Sequence, residues 1–209
     1  MKLKLDLRRA LALAIIESQY KYMEMTGKRE FRAVEKSIPE KVLEVSAARE
    51  CWNILRGYNY NVIQEYTFTN INRNLRDHFS DTRAKKYNND IRRVDIAIID
   101  DSQRICALIE VKRKGSSRDI YPSGDVTRLR ELRHYIKERT GSDIDAIFVY
   151  ASTMHYYDED MFNYNLEIEN GLTGEKFSSK PFVYFDKNRT HKIFENDLSF
   201  CFGAVCGIV

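Results

Sequence analysis

Proline and glycine are scarce in this chain, three and nine among 209 residues. So few of either argues against a long flexible linker or a low-complexity tract. The length suits one domain with a substantial core. No run of about 18 apolar residues occurs, so no membrane association through a spanning helix is expected. The opening residues have a leader's flavour, basic then apolar. Asp6, Arg8 and Arg9 interrupt it, however, and no small-residue cleavage site follows, so an amphipathic helix is expected there instead. Cys51, Cys106, Cys201 and Cys206 include no CxxC pair and lie in apolar surroundings. They are too scattered for a zinc site and read as buried free thiols of a cytoplasmic protein.

What the chain does contain is charge, unevenly laid out. Hydrophobic residues make up 43% and charged residues 31%, with a net charge of only +3. From Arg73 to Arg93 seven Lys/Arg stand against three Asp, and from Lys112 to Arg139 nine against four acids. Between His155 and Glu169 there are five acids and no Lys or Arg. The two basic segments flank residues 92 to 115, RRVDIAIIDDSQRICALIEVKRKG, an apolar stretch carrying Asp95, Glu110 and Lys112. A basic field around carboxylates suits a site that handles a polyanion, whereas either segment alone also fits a solvated helix face.

Hydrophobic periodicity predicts a helix over 3 to 25, with Leu7, Leu11, Ala14 and Ile15 on one face and Gly27 ending it. A second helix is predicted from Pro39 to Arg56, capped by Ser37 and striped by Val42, Val45, Trp52 and Leu55. Residues 60 to 68 alternate like a strand, and 70 to 90 read as a loop or short helical insertion. Residues 93 to 100 and 104 to 112 form a hairpin through the turn residues between them. A helix ending at Gly141 follows, then a buried strand over 145 to 152. The order is αβββαβ, an α/β fold with a mixed β-sheet flanked by helices. The core is expected over about 40 to 152. Residues 153 to 209 form an extension containing a strand at 180 to 187 and an apolar end that docks on the core.

Side chains alternate across a strand, so Glu110 and Lys112 share a face that Val111 does not. A turn at 101 to 102 pairs Ile99 with Arg104 and sets Asp95 opposite Leu108. Asp95 and Glu110 are then diagonal neighbours, roughly 7–8 Å apart. Charged groups inside apolar strands are costly unless they are paired or bind a metal. Two carboxylates so placed can share Mg²⁺ or Mn²⁺ and leave room for a phosphate. Lys112 can orient or help deprotonate a water and stabilise charge on the phosphoryl group.

Asp95, then Glu110-Val111-Lys112 fifteen positions on, within an αβββαβ order, resembles the PD-(D/E)XK nuclease superfamily, the restriction-endonuclease-like fold. The resemblance covers about residues 40 to 152. It implies a Mg²⁺-dependent endonuclease, a hydrolase of DNA phosphodiester bonds that leaves a 5′-phosphate. Asp95 and Glu110 would be its metal ligands and Lys112 its catalytic lysine. Members often add a Glu from the helix before the first strand, for which Glu44 is preferred here over Glu50. Val94 stands where the family name has Pro, and Lys114 is a second lysine on the face of Lys112.

Around this centre, Arg128 is the candidate for a phosphate contact from the following helix. Lys85, Lys86, Arg92, Arg93 and Lys114 are candidates to grip a DNA backbone. Gln64 or Glu65 is placed to face the site from the first strand. His78 reads as a solvated loop residue, and Tyr156, Tyr157 and Tyr164 as packing residues able to stack on bases. Duplex symmetry suggests a homodimer. The rival reading is a nuclease-like fold that binds nucleic acid or a partner protein without cleaving.

Overall fold

In the computed structural model the described residues are 3, 5–27, 38–79, 92–113, 123–156, 160, 163, 177–192 and 199–209. They form helices α1 (Arg8–Thr26), α2 (Glu40–Leu55), α3 (Phe68–Phe79) and α4 (Ser123–Thr140). The strands are β1 (Tyr60–Thr67), β2 (Arg93–Asp100), β3 (Ile105–Arg113), β4 (Asp145–Tyr156), β5 (Phe182–Phe185), β6 (His191–Lys192) and β7 (Ser199–Ile208). The strands make one mixed sheet in the order β1-β2-β3-β4-β7-β5, with β6 pairing to β7. Only β3 and β4 run parallel, joined by α4 as a crossover. Among the described residues no helix is long and apolar enough to cross a membrane.

Both faces of the sheet are covered, which is why β3 is apolar without alternation and buried from Ile105 through Val111. On one face Leu11, Ile15 and Ile16 of α1 and Leu43, Ala47, Cys51 and Leu55 of α2 pack over Ile96, Ile98, Ile109, Val111 and Val149. On the other, Ile71 and Leu75 of α3 and Val126, Leu129, Leu132 and Ile136 of α4 pack over Ala97, Ile99, Leu108 and Phe148. α1 stops at Gly27, whose φ of 63° is the left-handed conformation that suits glycine at a helix end.

Several elements differ from the sequence expectation. Helix α2 begins after Pro39 with no side-chain cap, and Ser37 lies outside the described residues. Its buried stripe is Leu43, Ala47, Ala48, Cys51 and Leu55, while Val45 and Trp52 are 48% and 54% exposed. The small residues Ala47 and Ala48 face inward because α1 and α2 pack closely there, a preference that hydrophobicity alone misranks. α3 follows β1 directly. Its apolar signal is sparse, Phe68, Ile71 and Leu75 among polar residues, but all three are fully buried.

The apolar end of the chain does more than dock. Strand β7 pairs with β4 along ten residues, from Ile147↔Ile208 to Tyr156↔Ser199, and lies between β4 and β5. Two glycines permit close packing there. A Cβ added at Gly203 would lie 2.2 Å from the Phe185 ring, and one at Gly207 would lie 2.2 Å from the Phe177 ring. Gly207→Ala is therefore expected to destabilise the protein by about 1–3 kcal/mol. Urea denaturation measures this, and an unchanged midpoint would show that the Phe177 ring moves aside freely.

Candidate functional site

The hairpin's turn sets where its charges fall. Gln103 N–H donates to the Asp100 carbonyl (2.8 Å), and Gln103 sits at φ 61°. The Asp100 carboxylate accepts from Arg104 N–H (2.8 Å). The turn thus contains one residue more than expected, and Asp100 faces Arg104. The register then shifts again between Ile98 and Ile99, leaving Cys106 as a bulge, so Ile98 faces Ala107 and Ile96 faces Ile109. Asp95 and Glu110 are the next residues outward on their two strands, opposite one another. The expected pairing of Asp95 with Leu108 is corrected by two residues. A two-residue slip keeps the parity of the pairing, so the register itself still allows Asp95 and Glu110 a common face.

The strand ladders are interrupted at the same level. In the β1–β2 register Gln64 faces Ile96 and Tyr66 faces Val94, and the Glu65–Asp95 pair between them is missing. Glu65 has φ 53°, a left-handed conformation unusual for a residue with a side chain. Across this point both strands turn over. Tyr60, Val62 and Ile96 pack with the α1–α2 face, but Tyr66 and Val94 pack with the α3–α4 face. Asp95 stands at the irregularity, and its Oδ2 accepts the Val111 N–H at 2.7 Å. A carboxylate thus takes a strand N–H beyond the last β2–β3 pair, Ile96 with Ile109.

Glu110 is 1% exposed. Its Oε1 receives Arg128 Nη2 and lies 3.3 Å from Lys112 Nζ. Its Oε2 is buried with no hydrogen-bond partner. Burial, reinforced by the charge of Asp95, pushes the Glu110 carboxyl up to about 7. Burial likewise pushes Asp95 up to about 6, against the opposing pull of the Val111 N–H and Lys112. For Lys112, burial disfavours the charge, but the hydrogen bond to Glu40 and the charges of Glu110 and Asp95 outweigh it and hold the ammonium above its ordinary range.

The helix-borne acid that touches this cluster is Glu40. Its Oε1 is 2.9 Å from Lys112 Nζ, and its Oε2 accepts the Arg113 N–H at 3.3 Å. Arg113 in turn donates to the Ile38 carbonyl (3.0 Å), tying the start of α2 to the end of β3. Glu44, preferred from sequence, is one turn further along, bonded to Lys41 (2.9 Å), and adds its charge to those that raise Asp95. Glu50 points elsewhere, lining the groove between α1 and α2 with Ala14 and Glu17. Glu40 was legible in principle, because positions 40, 44, 48, 51 and 55 share one helical face.

Arg128 does not stand free for a phosphate as expected, since it bridges Glu110 and Asp125, the latter at 2.9 Å. Arg93 is paired with Glu65, which also holds Lys41. Arg92 lies 5.1 Å over the Phe68 ring. Gln64 and Glu65 are half-exposed or more, and Glu65 belongs to this charged rim. Lys85, Lys86, Lys114, Tyr157 and Tyr164 lie outside the described residues, as do the side chains of His78 and Tyr156. All four cysteines are buried and free.

Among the described residues no three His, Cys, Asp or Glu side chains come together as a metal-holding group. What converges is a pair of raised carboxylates, a charged lysine held by a third acid, and an arginine. The chain matches no protein-family model, no curated protein and no solved structure.

Proposed function

We propose that the protein is a metal-dependent endonuclease that hydrolyses DNA phosphodiester bonds, on a core of the restriction-endonuclease-like kind. The observation that carries this reading is the bare Oε2 of Glu110, a buried carboxylate oxygen with no donor, next to a second carboxylate of raised pKa. A stranded buried acceptor calls for an explanation, and a cation supplies one. An all-oxygen pair suits a hard ion such as Mg²⁺ or Mn²⁺, which takes its remaining ligands from water and substrate and needs no third protein acid. Asp95 and Glu110 would hold it. When bound, such an ion polarises a phosphoryl oxygen as a Lewis acid.

The chain's own residues supply the rest. The Val111 N–H fixes the Asp95 carboxylate through Oδ2. Glu40 fixes the Lys112 ammonium beside Glu110 and keeps it charged. Lys112 therefore stabilises negative charge growing on the phosphate and does not serve as the proton acceptor, a narrower role than its sequence position allowed. Glu40→Gln is expected to keep the fold and lower kcat about tenfold with little change in KM, because Lys112 loses its charged orienting partner. A tenfold rise in KM with kcat unchanged would assign Glu40 to substrate binding instead.

The direct test is incubation of the full chain with supercoiled plasmid, linear duplex, single-stranded and branched DNA, each with Mn²⁺, Mg²⁺ or EDTA. Nicking or linearisation that requires the ion, and that is lost in Asp95→Asn, is the expected result. The second reading, a fold that binds nucleic acid without cutting it, is favoured by the ion pairs that already hold Glu110 to Arg128 and Lys112 to Glu40. It is upheld if DNA is bound and no substrate is cut with any ion.

A further inference from the structure

We propose that Arg128 is a gate on the carboxylate pair. Its guanidinium and a divalent cation compete for Glu110, and Asp125 is the seat that retains the guanidinium when Glu110 turns to the cation. The inference rests on the metal-dependent reading above and concerns how that site is loaded.

Three features lead to it. First, one nitrogen of Arg128, Nη2, contacts both Glu110 Oε1 and Asp125 Oδ1. The arginine is already shared between a deep partner and a shallow one. The Glu110 side chain is 2% exposed, Asp125 23% and Arg128 28%, so the guanidinium lies at the boundary between core and solvent. Asp125 belongs to the first turn of α4, three residues before Arg128, and a helix N-terminus favours its negative charge. Second, Oε1 of Glu110 serves two cationic side chains, Arg128 and Lys112, while Oε2 serves none. If Arg128 leaves, Lys112 still supplies this carboxylate with a counter-charge, and Glu40 anchors Lys112 from the other side. Arg128, whose second partner Asp125 lies towards solvent, is thus the one of the two placed to withdraw. Third, a guanidinium does not lose its proton in a protein. When a dication approaches the same carboxylate, Lys112 and Arg128 both repel it, and the repulsion can be relieved only by movement.

The consequence is a coupling between ion and substrate. A guanidinium swung onto Asp125 has donors to spare beside the site, where a phosphate oxygen would meet them. Cation and phosphate would each draw Arg128 off Glu110, so the binding of either favours the other.

The test is calorimetric titration of MnCl₂ at pH 8 into the full-length wild type, Arg128→Gln, Arg128→Lys and Asp125→Asn, with unfolding midpoints as a check on folding. Arg128→Gln is expected to bind Mn²⁺ at least about tenfold more tightly than wild type, because the competitor is gone. Arg128→Lys should fall between the two. Asp125→Asn is expected to bind at least about threefold more weakly, because the guanidinium loses its alternative seat. Loss of a fixed charge would move the affinity in these same two directions, so the double variant Arg128→Gln/Asp125→Asn, titrated alongside, decides: with no guanidinium to seat it is expected to bind Mn²⁺ within twofold of Arg128→Gln, whereas a full threefold additive loss would overturn the gate. If Arg128→Gln does not fold, the Arg128→Lys and Asp125→Asn pair still gives the two signs. Affinities of all variants within twofold of wild type would overturn the gate and leave the cation site standing. No heat in the wild type or in any variant would overturn the gate and the metal-dependent reading together.

Discussion

Replacing Glu110 by glutamine is expected to abolish ion-dependent cleavage and, at pH 8, to make the protein more stable. The side chain is buried, and its carboxyl is pushed up to about 7 from an ordinary 4.5. A group whose folded-state pKa is raised stabilises the fold in its protonated form. That contribution is fully present below about pH 4.5 and is lost as the pH rises through about 7. At pH 8 the native protein holds an ionised Glu110 at a cost of about 3 kcal/mol, even with Arg128 and Lys112 beside it. A neutral amide of the same shape removes that cost. Urea unfolding of the two proteins should therefore differ by about 3 kcal/mol at pH 8 and converge near pH 4. On the proposed metal-dependent reading, cleavage by Glu110→Gln should fall by roughly 10³-fold or more, since one of the two carboxylates that would hold the ion is lost. A variant that is less stable than wild type at pH 8 would mean that the two cations more than compensate the buried charge. A buried charge that destabilises the fold points to a use other than folding.

Substituting Lys112 should also cost most of the cleavage and have the opposite effect on stability. Its ammonium is the counter-charge for Glu40 at 2.9 Å and for Glu110 at 3.3 Å. Lys112→Ala leaves Glu110 dependent on Arg128 and Glu40 without its lysine. A loss of about 2–4 kcal/mol is expected at pH 8, the scale of breaking a mostly buried pair from one side. The loss should shrink towards pH 5, as Glu110 and Asp95 take up protons and need less counter-charge. Cleavage should fall about 10²- to 10³-fold, the scale of removing a preorganised electrostatic group. Together the two variants separate chemistry from folding, because both are inactive while their stabilities move apart. Full activity in Lys112→Ala, with the ion still required, would remove Lys112 from the mechanism.

The hairpin and the shared face of Glu110 and Lys112 were legible because strand alternation is a strict period of two. Register was not, because it depends on turn geometry and a bulge. The left-handed Gln103 and the unpaired Cys106 each add one residue, and neither carries the glycine that usually signals such a conformation. The interruption of the ladder at Asp95 was hidden for a similar reason. It depends on the left-handed backbone of Glu65, a residue that in sequence looks like any strand glutamate. Glu40 was passed over because a first-turn acid is the ordinary companion of a helix N-terminus. Only the packing of α2 against the end of β3 shows that it reaches Lys112. The whole of β7 needed tertiary knowledge. Its apolar residues are clear, but its partners are distant in the chain.

That distance shapes how the protein comes to be built. β4 waits for a neighbour some fifty residues downstream, and α1 waits longer still: Gln19 donates to the Gly203 carbonyl (3.1 Å), and Phe202 N–H donates to the Tyr20 hydroxyl (3.4 Å). Until residues 199–208 emerge, the nascent chain carries a raw β4 edge and a helix α1 that can rest on α2 and β4 but not yet on β7. Assembly is then a single late closure rather than a stepwise growth, slow in the manner of non-local topologies and open to mispairing while it waits.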